Sequence, residues 1–600
     1  MFPASNLTTY IYISVFSDFY FKSTVIRILI RLLCLALYSG CLYGQNVDLG
    51  YYNDFDIGPR GVHGNLKLEK PAKRQYYQIS KISDSIVRII KVNPSGVILS
   101  TYTFTYIRGI LNHMTFANQW GNITGHRVYE MISEDSFRVT ESENGVNNYL
   151  PCKYALETFK NDLLIETSFH SSSGRLRNNE QGFAIIQYKR YDDKVRFSEI
   201  MEISYFDENN LPVISRQNGG HKIKYEYDQS DNKILETYLD IHDQPSINAL
   251  TNIYAKKCFY DQDNRIIKEE FIGANGQLAK NFNGVFGGTI NYKDGYAVAV
   301  TRTDSLNKPA RANTITDGIT VLKREYDSNG NQLKLITLNE TGDPIIDHSG
   351  TSISIKEYSA NNMQISSAYF DEFGRPVKNR SKIHKYVYIS DSLGRTIQTS
   401  YFDNDGKPTV DDANQVYMIK TAYDSNGLKT SESYWKNADT AMPRWNGVFE
   451  MRQHYNDDGQ PIEYDYYDKD GLKKTDEGYS VCKILRDQDG IMYARQFLYN
   501  DELVYKTRGV CKDFSIIRYE YDSIGKVTQI LFYGNQHEAV SATVSITSPI
   551  RVHRIRFIYN GPTIVEQWYY SPIDKEPFLK LDCLKNDFLA PNGVSVGHKM

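Results

Sequence analysis

Apolar and polar side chains alternate along many short segments of this chain. In Lys222–Tyr227 the order is Lys, Ile, Lys, Tyr, Glu, Tyr, so that every second side chain can be buried. A period of two is typical of a half-buried β-strand, whereas an amphipathic helix needs a period near 3.6. Asp, Ser, Gly and Asn follow these segments and favour tight turns. The pattern predicts an all-β chain of short strands joined by hairpins.

The strand and turn pattern repeats about every 33 residues. One marker is an aromatic pair and Asp ahead of a Gly-x-Pro turn, as in Tyr-Phe-Asp at 401–403 followed by Gly406 and Pro408. Aligned on the Asp, ten copies between positions 207 and 500 are 31 to 35 residues apart. A single hairpin is marginally stable, so stacked units are expected to share one core. We therefore predict tandem β-hairpin repeats that form an extended solenoid or meander.

A second marker, Tyr-Asp-x-x-Gly-Asn, runs in phase with the first and is clearest at 326–331. Each unit thus has two turns, in which Asp bonds to nearby backbone and Gly accepts a positive φ. The turn residues that the two markers predict are Asp207, Asp228, Asp261, Asp327, Gly330, Asp371, Gly374, Asp403, Gly406, Asp424, Asp468, Gly471 and Asp522.

The period divides the chain into four parts. Residues 1–44 form a leader, and residues 46–165 have strand-like runs without a clear period, as expected for a β-rich N-terminal domain or cap. Residues 166–545 form the tandem repeats, and residues 546–600 form a C-terminal cap. The 47 Tyr residues among 600 fit this organisation, because Tyr suits a half-buried pleated surface.

Charge and apolar content exclude several protein classes. The chain is 41% hydrophobic and 24% charged, which disfavours global disorder. A net charge of only -3 gives no basic footprint for nucleic acid, and no nucleic-acid partner is expected.

The leader predicts export. Basic residues at 22, 27 and 31 precede the apolar run 32–37 and then small residues, which is typical of a signal peptide. Cleavage after Gly44 would release a soluble protein, whereas Ser39-Gly40-Cys41 resembles the end of a bacterial lipobox and makes Cys41 the lipid-anchor candidate. An uncleaved anchor, or a true start near Lys22, is a third reading. The expected location is periplasmic, outer-membrane-anchored or cell surface.

The cysteines outside the leader are few and widely spaced. No CxxC occurs, so a zinc ribbon or thioredoxin motif has no support. Burial as small hydrophobic residues is the simpler interpretation. A disulfide between Cys482 and Cys511 is the alternative in an exported protein.

The Tyr-Asp-x-x-Gly-Asn units resemble the YD repeats of the Rhs and teneurin families over about residues 190–535. The resemblance implies β-hairpin strips that wind into a shell, sometimes around a toxin. This sequence differs in its longer period, its extra Tyr-Phe-Asp half and the absence of a toxin-like domain after the array. It is also similar to exported bacterial proteins with YD-like or WG-like repeats, which implies a binding or scaffold role.

Candidate chemistry is sparse. Acidic turns such as Asp403–Gly406 could begin a calcium loop, but no Glu recurs in phase to complete one, and ordinary turn chemistry accounts for them. Trp435 and Trp445 lie in a unit whose turn departs from the consensus, so they are the binding candidates, with neutral drift as the alternative. The histidines are scattered, and neither HExxH nor a P-loop occurs. We expect no catalytic residue, metal or cofactor.

These observations favour an exported, non-enzymatic repeat protein that acts as a binding or structural scaffold at the bacterial cell envelope. Its partner would be an envelope protein or polysaccharide, with membrane contact only through a lipid anchor. One alternative is a YD-type shell or delivery carrier, which needs a cavity and a cargo. Another is an enzyme with its site in residues 46–165 and the repeats as a stalk.

Overall fold

The structure of this protein is a computed structural model. It describes residues 50–58, 61–68, 74–83, 86–143, 146–147, 152–161, 163–179, 181–191, 199–216, 218–248, 250–312, 318–412, 414–471, 475–508, 511–522, 527–545, 549–560, 563–571, 576–577, 579–582, 588–589 and 595–596. The leader, including Cys41, lies outside these residues. Within them, no helix is long and apolar enough to cross a membrane.

The described residues form strands and turns. The strands of the first third are β1 (Gly50–Gly58), β2 (Gly61–Leu68), β3 (Tyr76–Ser83), β4 (Ile86–Val92), β5 (Ile98–Ile107), β6 (Ile110–Asn118), β7 (Ile123–Ser133), β8 (Ser136–Glu143), β9 (Val146–Asn147), β10 (Tyr154–Lys160), β11 (Leu163–His170), β12 (Ile185–Arg190) and β13 (Ile200–Phe206). The next are β14 (Lys222–Tyr227), β15 (Lys233–Leu239), β16 (Ala255–Tyr260), β17 (Ile266–Ile272), β18 (Gly287–Lys293), β19 (Tyr296–Thr303), β20 (Val321–Tyr326), β21 (Gln332–Leu338), β22 (Ile353–Tyr358), β23 (Gln364–Phe370), β24 (Lys385–Ser390), β25 (Thr396–Phe402), β26 (Met418–Tyr423), β27 (Lys429–Trp435), β28 (Glu450–Tyr455) and β29 (Pro461–Tyr467). The last are β30 (Val481–Arg486), β31 (Met492–Tyr499), β32 (Glu502–Leu503), β33 (Cys511–Lys512), β34 (Ile516–Tyr521), β35 (Val527–Tyr533), β36 (Ala542–Ser545), β37 (Pro549–Val552), β38 (Arg554–Asn560), β39 (Thr563–Tyr570), β40 (Leu579–Asp582), β41 (Phe588–Leu589) and β42 (Ser595–Val596).

One antiparallel meander contains most of these strands. Each strand from β3 to β8 and from β10 to β31 pairs with the next along the chain, and the meander continues past short side strands through the pairs β8 with β10, β31 with β34, β35 with β38 and β39 with β40. Strands β33, β36 and β37 form a separate small sheet. The prediction of an all-β meander of hairpins is confirmed. The aperiodic strands β3 to β11 belong to the same sheet as the repeats.

The two faces of the sheet differ in chemistry. On one, the aromatic face, Ile223 pairs with Tyr238 and Tyr225 with Glu236, and on the other, the charged face, Lys224 pairs with Thr237. Buried clusters on the aromatic face lie within residues 89–159, 152–238, 383–448 and 479–569, so each one joins neighbouring strands only. The small sheet of β33, β36 and β37 covers the last cluster. In the cluster within 383–448, the loop residues Ile383, Val416 and Val448 pack with the strand tyrosines.

The Tyr of the Tyr-Asp marker joins consecutive units. Its hydroxyl donates to a backbone carbonyl of the preceding hairpin, as Tyr260 does to Lys233 at 2.7 Å and Tyr423 to Thr396 at 3.1 Å. Arg486 fills the same place with a bond from Nε to the carbonyl of Pro461 at 3.2 Å. The Tyr bias of the composition therefore has a structural cause, namely an inter-unit hydrogen bond in most repeats, although Ser390 occupies this position in one unit.

The meander winds back onto itself. Connections that follow β4, β6, β8, β11 and β13 all lie at one edge of the sheet, the loop edge, and the Tyr-Asp turns lie at the opposite edge, the hairpin edge. The loop edge of β3 to β13, the first winding, meets the hairpin edge of β16 to β39, the second winding: Arg74 Nη1 donates to the carbonyl of Asp263 at 2.8 Å and Asn118 Nδ2 to that of Leu393 at 3.1 Å.

The winding has a definite size. Not counting the side strand β9, one turn contains 13 strands where Arg74 meets Asp263, 17 where Asn118 meets Leu393 and 19 where Arg177 meets Asp489, about 16 on average. At about 4.8 Å per strand the wall is about 70–80 Å around and about 25 Å across. The strand ladder itself does not close, because edge contacts alone join the two windings.

Candidate functional site: the seam between the windings

The line where the two windings meet, the seam, is built from turn residues. Asn118 Oδ1 accepts the N–H groups of Trp120 and Asn122, both at 3.0 Å, and so closes its own turn. Its Nδ2 remains to donate to Leu393 of the other winding. Asn93 acts in the same way: its Oδ1 closes the turn before β5, and its Nδ2 donates to the carbonyl of Asn329 at 2.7 Å. An Asp here would close the turn and lose the donor.

Two turn glycines lie against aromatic side chains: Gly394 against one from the first winding, and Gly330 against one from the neighbouring hairpin of its own winding. A Cβ on Gly394 would overlap the ring of Trp120, whose Nε1 donates to the carbonyl of Asn361 at 2.8 Å. A Cβ on Gly330 would overlap the hydroxyl of Tyr296, which lies 3.0 Å from Ser95 Oγ. Both glycines have positive φ as well, so these positions meet two requirements at once.

Ion pairs extend the seam. Lys153 pairs with Asp458, and Arg177 pairs with Asp489. Asp489 also accepts the N–H of Ser172 at 2.7 Å, and its side chain is only 11% exposed. Partly buried, charge-assisted bonds of this kind contribute more than exposed surface pairs.

The windings separate between the contacts at Leu393 and Asp458. A cavity of about 470 Å³ opens there, with Thr124 and His126 on the first winding and Asn426 and Asp458 on the second. We call this opening the window. The ring of His126 is stacked on that of His113, with 5.4 Å between the ring centres. Burial, and then the neighbouring His126, lower the pKa of His113.

Most predicted turn residues lie in turns of the expected kind. Asp403 Oδ1 accepts the N–H groups of Asp405 at 3.0 Å and Lys407 at 2.8 Å, so the carboxylate is engaged by backbone. The same two bonds, two and four residues on, occur at Asp207, Asp228, Asp261, Asp327, Asp371 and Asp424. The predicted turn glycines Gly330, Gly374, Gly406 and Gly471 all have positive φ. Asp468 bonds to the N–H of Asp470, and the turn after Asp522 lies outside the described residues.

The structure does not bring the two candidate tryptophans together. Trp435 lies on the charged face, with Lys420 Nζ 3.9 Å from its ring centre and its Nε1 donating to Ser433 Oγ at 2.9 Å. Trp445 lies in a loop and is 57% exposed.

The described cysteines are free thiols. Cys482 and Cys511 are both buried in the C-terminal cluster, and burial raises the pKa of each to about 11. The disulfide alternative is therefore wrong for this pair, because apolar packing accounts for both side chains.

Sequence reasoning missed the residues of the seam. Asn93 and Asn118 each open an Asn-x-x-Gly turn in the N-terminal region that has no clear period. Most of the corresponding turns in the repeats begin with Asp. That Asn in place of Asp was the available signal, since only Asn can accept within its turn and donate outward. The ion pairs carried no signal, because their partners are 305 and 312 residues apart.

Comparisons with known proteins give distant similarities. No protein-family model and no curated protein matches the sequence. The crystal structure of TcdB2-TccC3 without its hypervariable C-terminal region is similar over 87% of this chain, with 10% identity and a TM-score of 0.39. A Photorhabdus luminescens Tc holotoxin pore with a TccC3 mutation is similar over 87%, with 10% identity and a TM-score of 0.18.

A third similar structure is a porin-like protein from Bacteroides uniformis, which matches 59% of this chain and 93% of its own at 8% identity and a TM-score of 0.12. This chain spans 27% and 35% of the two Tc chains. With TM-scores below 0.5, the three similarities decide nothing about function.

Proposed function

We propose that this chain is a wound β-shell that carries an extended polypeptide, which is the shell or carrier alternative of the sequence analysis. The observation that carries the proposal is the seam. A scaffold that presents an extended surface would leave both edges of its sheet to solvent. Here Asn118, Trp120 and Asp489 join one edge to the other and so build a lateral wall.

The size of the winding indicates what it could hold. The walls are about 25 Å apart, and side chains occupy about 5 Å of that on each side, since packed sheets are about 10 Å apart. About 15 Å remains, which admits an extended chain or one helix of about 10–12 Å, but no folded domain. Aromatic-face side chains in the middle of the array, such as Ile290 and Leu322, are only half-buried, as expected beside an open space.

The experiment is a protection assay. The full chain is co-expressed with a polypeptide encoded beside it, and any co-purified polypeptide is treated with protease. We expect protection with the native chain and faster cleavage when Asn118→Asp and Asp489→Ala together weaken the seam. The matched control combines Asn281→Asp and Asp405→Ala, which lie at the loop edge of the second winding.

Equal cleavage in the native chain and the seam variant would refute the carrier. Failure of any polypeptide to co-purify would favour the scaffold instead. Export is part of either proposal, by cleavage after Gly44 or with lipidation of Cys41, and mass spectrometry of the purified N-terminus distinguishes the two.

One observation favours the scaffold as a second candidate. The loop edge of the second winding exposes large apolar side chains, including Leu306 and Phe373 at 72% each and Trp445 at 57%. An envelope partner that binds there would be lost from a pull-down when Phe373→Ser and Trp445→Ser are combined. Unchanged capture by that variant would exclude this edge as the binding surface.

A further inference from the structure

A histidine and two carboxylates meet on the charged face of the second winding. His454 lies directly opposite Glu463 in the pairing of β28 with β29, and Asp465 is two residues further along β29 on the same face. One ligand atom from each side chain lies within 4.8 Å of the others, and His454 Nε2 is 3.1 Å from Asp465 Oδ2. Paired strands fix their backbones, so small side-chain rotations suffice to bring the atoms closer.

The surroundings leave this set accessible from solvent. The side chain of His454 is 50% exposed, whereas that of Asp465 is 8% exposed and forms the base of the cluster. Two cations lie nearby. Arg452 is engaged by Glu450 at 2.9 Å, and Lys483 Nζ lies 3.6 Å from Glu463 Oε2.

The donor set restricts the ligand. Three donors at about 2.0–2.2 Å from a tetrahedral metal lie about 3.4 Å from one another. The 3.1 Å between His454 Nε2 and Asp465 Oδ2 fits this spacing, and a ligand atom of Glu463 lies within 4.8 Å of both. One imidazole nitrogen with two carboxylates suits Zn²⁺ or Mn²⁺, whereas Ca²⁺ takes six to eight oxygens. Water from the exposed side would supply the fourth ligand.

We propose that His454, Glu463 and Asp465 bind one divalent transition-metal ion, with Zn²⁺ as the probe. The site is independent of the carrier proposal. The site lies on the same face of the sheet as the window. Asp457 and Asp458, which line the window, are in the turn that follows His454, and His126, which also lines it, is on the charged face of β7. The alternative is a structural network in which His454 holds Asp465 and Lys483 holds Glu463.

The two readings make opposite predictions for Lys483. In a metal site Lys483 competes for Glu463, so Lys483→Gln should raise Zn²⁺ affinity by a few fold. In a structural network its removal has no such effect. His454→Ala and Asp465→Asn should each lower Zn²⁺ affinity at least 10-fold, because each removes one of three ligands.

The measurement is a Zn²⁺ titration of the full chain, freed of metal by chelation, against a chromophoric competitor. Co²⁺ absorption in the visible range serves as the second readout. The control is His242→Ala, since His242 is an exposed histidine whose neighbours Asp240 and Asp243 are engaged by backbone N–H groups and by Lys222, respectively, and do not converge with it on one point. We expect one His454-dependent equivalent and no change in the control.

Zn²⁺ affinity that is equal in the native chain and His454→Ala would overturn the proposal. So would displacement of Zn²⁺ by equimolar Ca²⁺, or a Lys483→Gln variant that binds no more tightly. Should Asp465→Asn fail to fold, His454→Ala and Lys483→Gln still decide the question, because both change side chains that are at least 40% exposed.

Discussion

The two turns of one repeat have the same local chemistry and different surroundings. Asp391 and Asp403 each accept two backbone N–H groups at 2.8–3.0 Å, and Gly394 and Gly406 follow them with φ of 80° and 75°. Gly394 lies against Trp120 of the other winding, whereas nothing lies within 4 Å of a Cβ placed on Gly406. One turn is part of the seam, and the other faces solvent.

The difference separates two reasons for a glycine. At Gly406 only the backbone conformation requires it, because an L-residue at positive φ is strained. At Gly394 the approach of Trp120 adds a second requirement. Matched variants at the two edges therefore measure what the seam contributes beyond the turn itself.

The largest difference in the free energy of unfolding is expected between the variants Gly394→Ala and Gly406→Ala. Both place Ala at positive φ, at a cost of about 1–2 kcal/mol, and Gly394→Ala adds overpacking of about 1–3 kcal/mol. Urea denaturation should therefore show the seam variant to be less stable by a clear margin. Addition of Trp120→Ala should reduce the difference, and equal losses at both glycines would contradict the seam.

The next largest difference in the free energy of unfolding is expected between Asp489→Ala and Asp405→Ala. Asp489 and Asp405 occupy the same turn position at opposite edges of the sheet. Asp489 binds Arg177 and the N–H of Ser172, so its loss leaves two donors and should cost about 2 kcal/mol. Asp405 is exposed, and its loss should cost less than about 0.5 kcal/mol. Similar unfolding midpoints for the two variants would argue against the winding.

A smaller effect is expected for Asn118→Asp. The new carboxylate keeps both turn bonds but loses the donor to Leu393 and faces its carbonyl, at a cost of about 1–2 kcal/mol. Asn281 closes its own loop with bonds to Asn283 at 2.9 Å and Val285 at 3.3 Å, so Asn281→Asp should be tolerated. Thermal unfolding of the two variants tests this, and the reverse order of stability would be inconsistent with it.

The smallest effect concerns pH. Backbone N–H groups of Gln244 and then His242 lower the pKa of Asp240. Burial opposes ionisation of Asp391, but the backbone and guanidinium of Arg395 still lower its pKa. Because these pKa values are lower in the folded chain, the stabilisation is present above the unfolded pKa of about 3.9 and is lost as pH falls through the folded pKa.

Stability should therefore be nearly constant above about pH 5 and fall below about pH 4. Asp391→Asn should flatten this loss more than Asp240→Asn, since it also removes the bond to the Arg395 guanidinium. Urea midpoints at pH 7 and pH 3.5 measure both slopes. A larger change in Asp240→Asn would contradict the assignment.

Much of the fold could be predicted because its determinants are local. A turn Asp bonds to groups two and four residues away, and the alternation in Lys222–Tyr227 fixes which side chains share a face. The period of about 33 residues followed from the same markers. The strands before residue 165 were grouped apart because they lack those markers, although their backbone bonding continues the same sheet.

The sequence by itself determined the strands, the two turns per unit and the Tyr that joins neighbouring hairpins, since each depends on groups within one unit or the next. Tertiary structure alone decided which edge became the seam and where the window and the His454 cluster lie. The pairs Asn118 with Leu393 and Arg177 with Asp489 meet only because small strand-to-strand rotations accumulate over 17 and 19 strands, respectively. No local pattern encodes that sum.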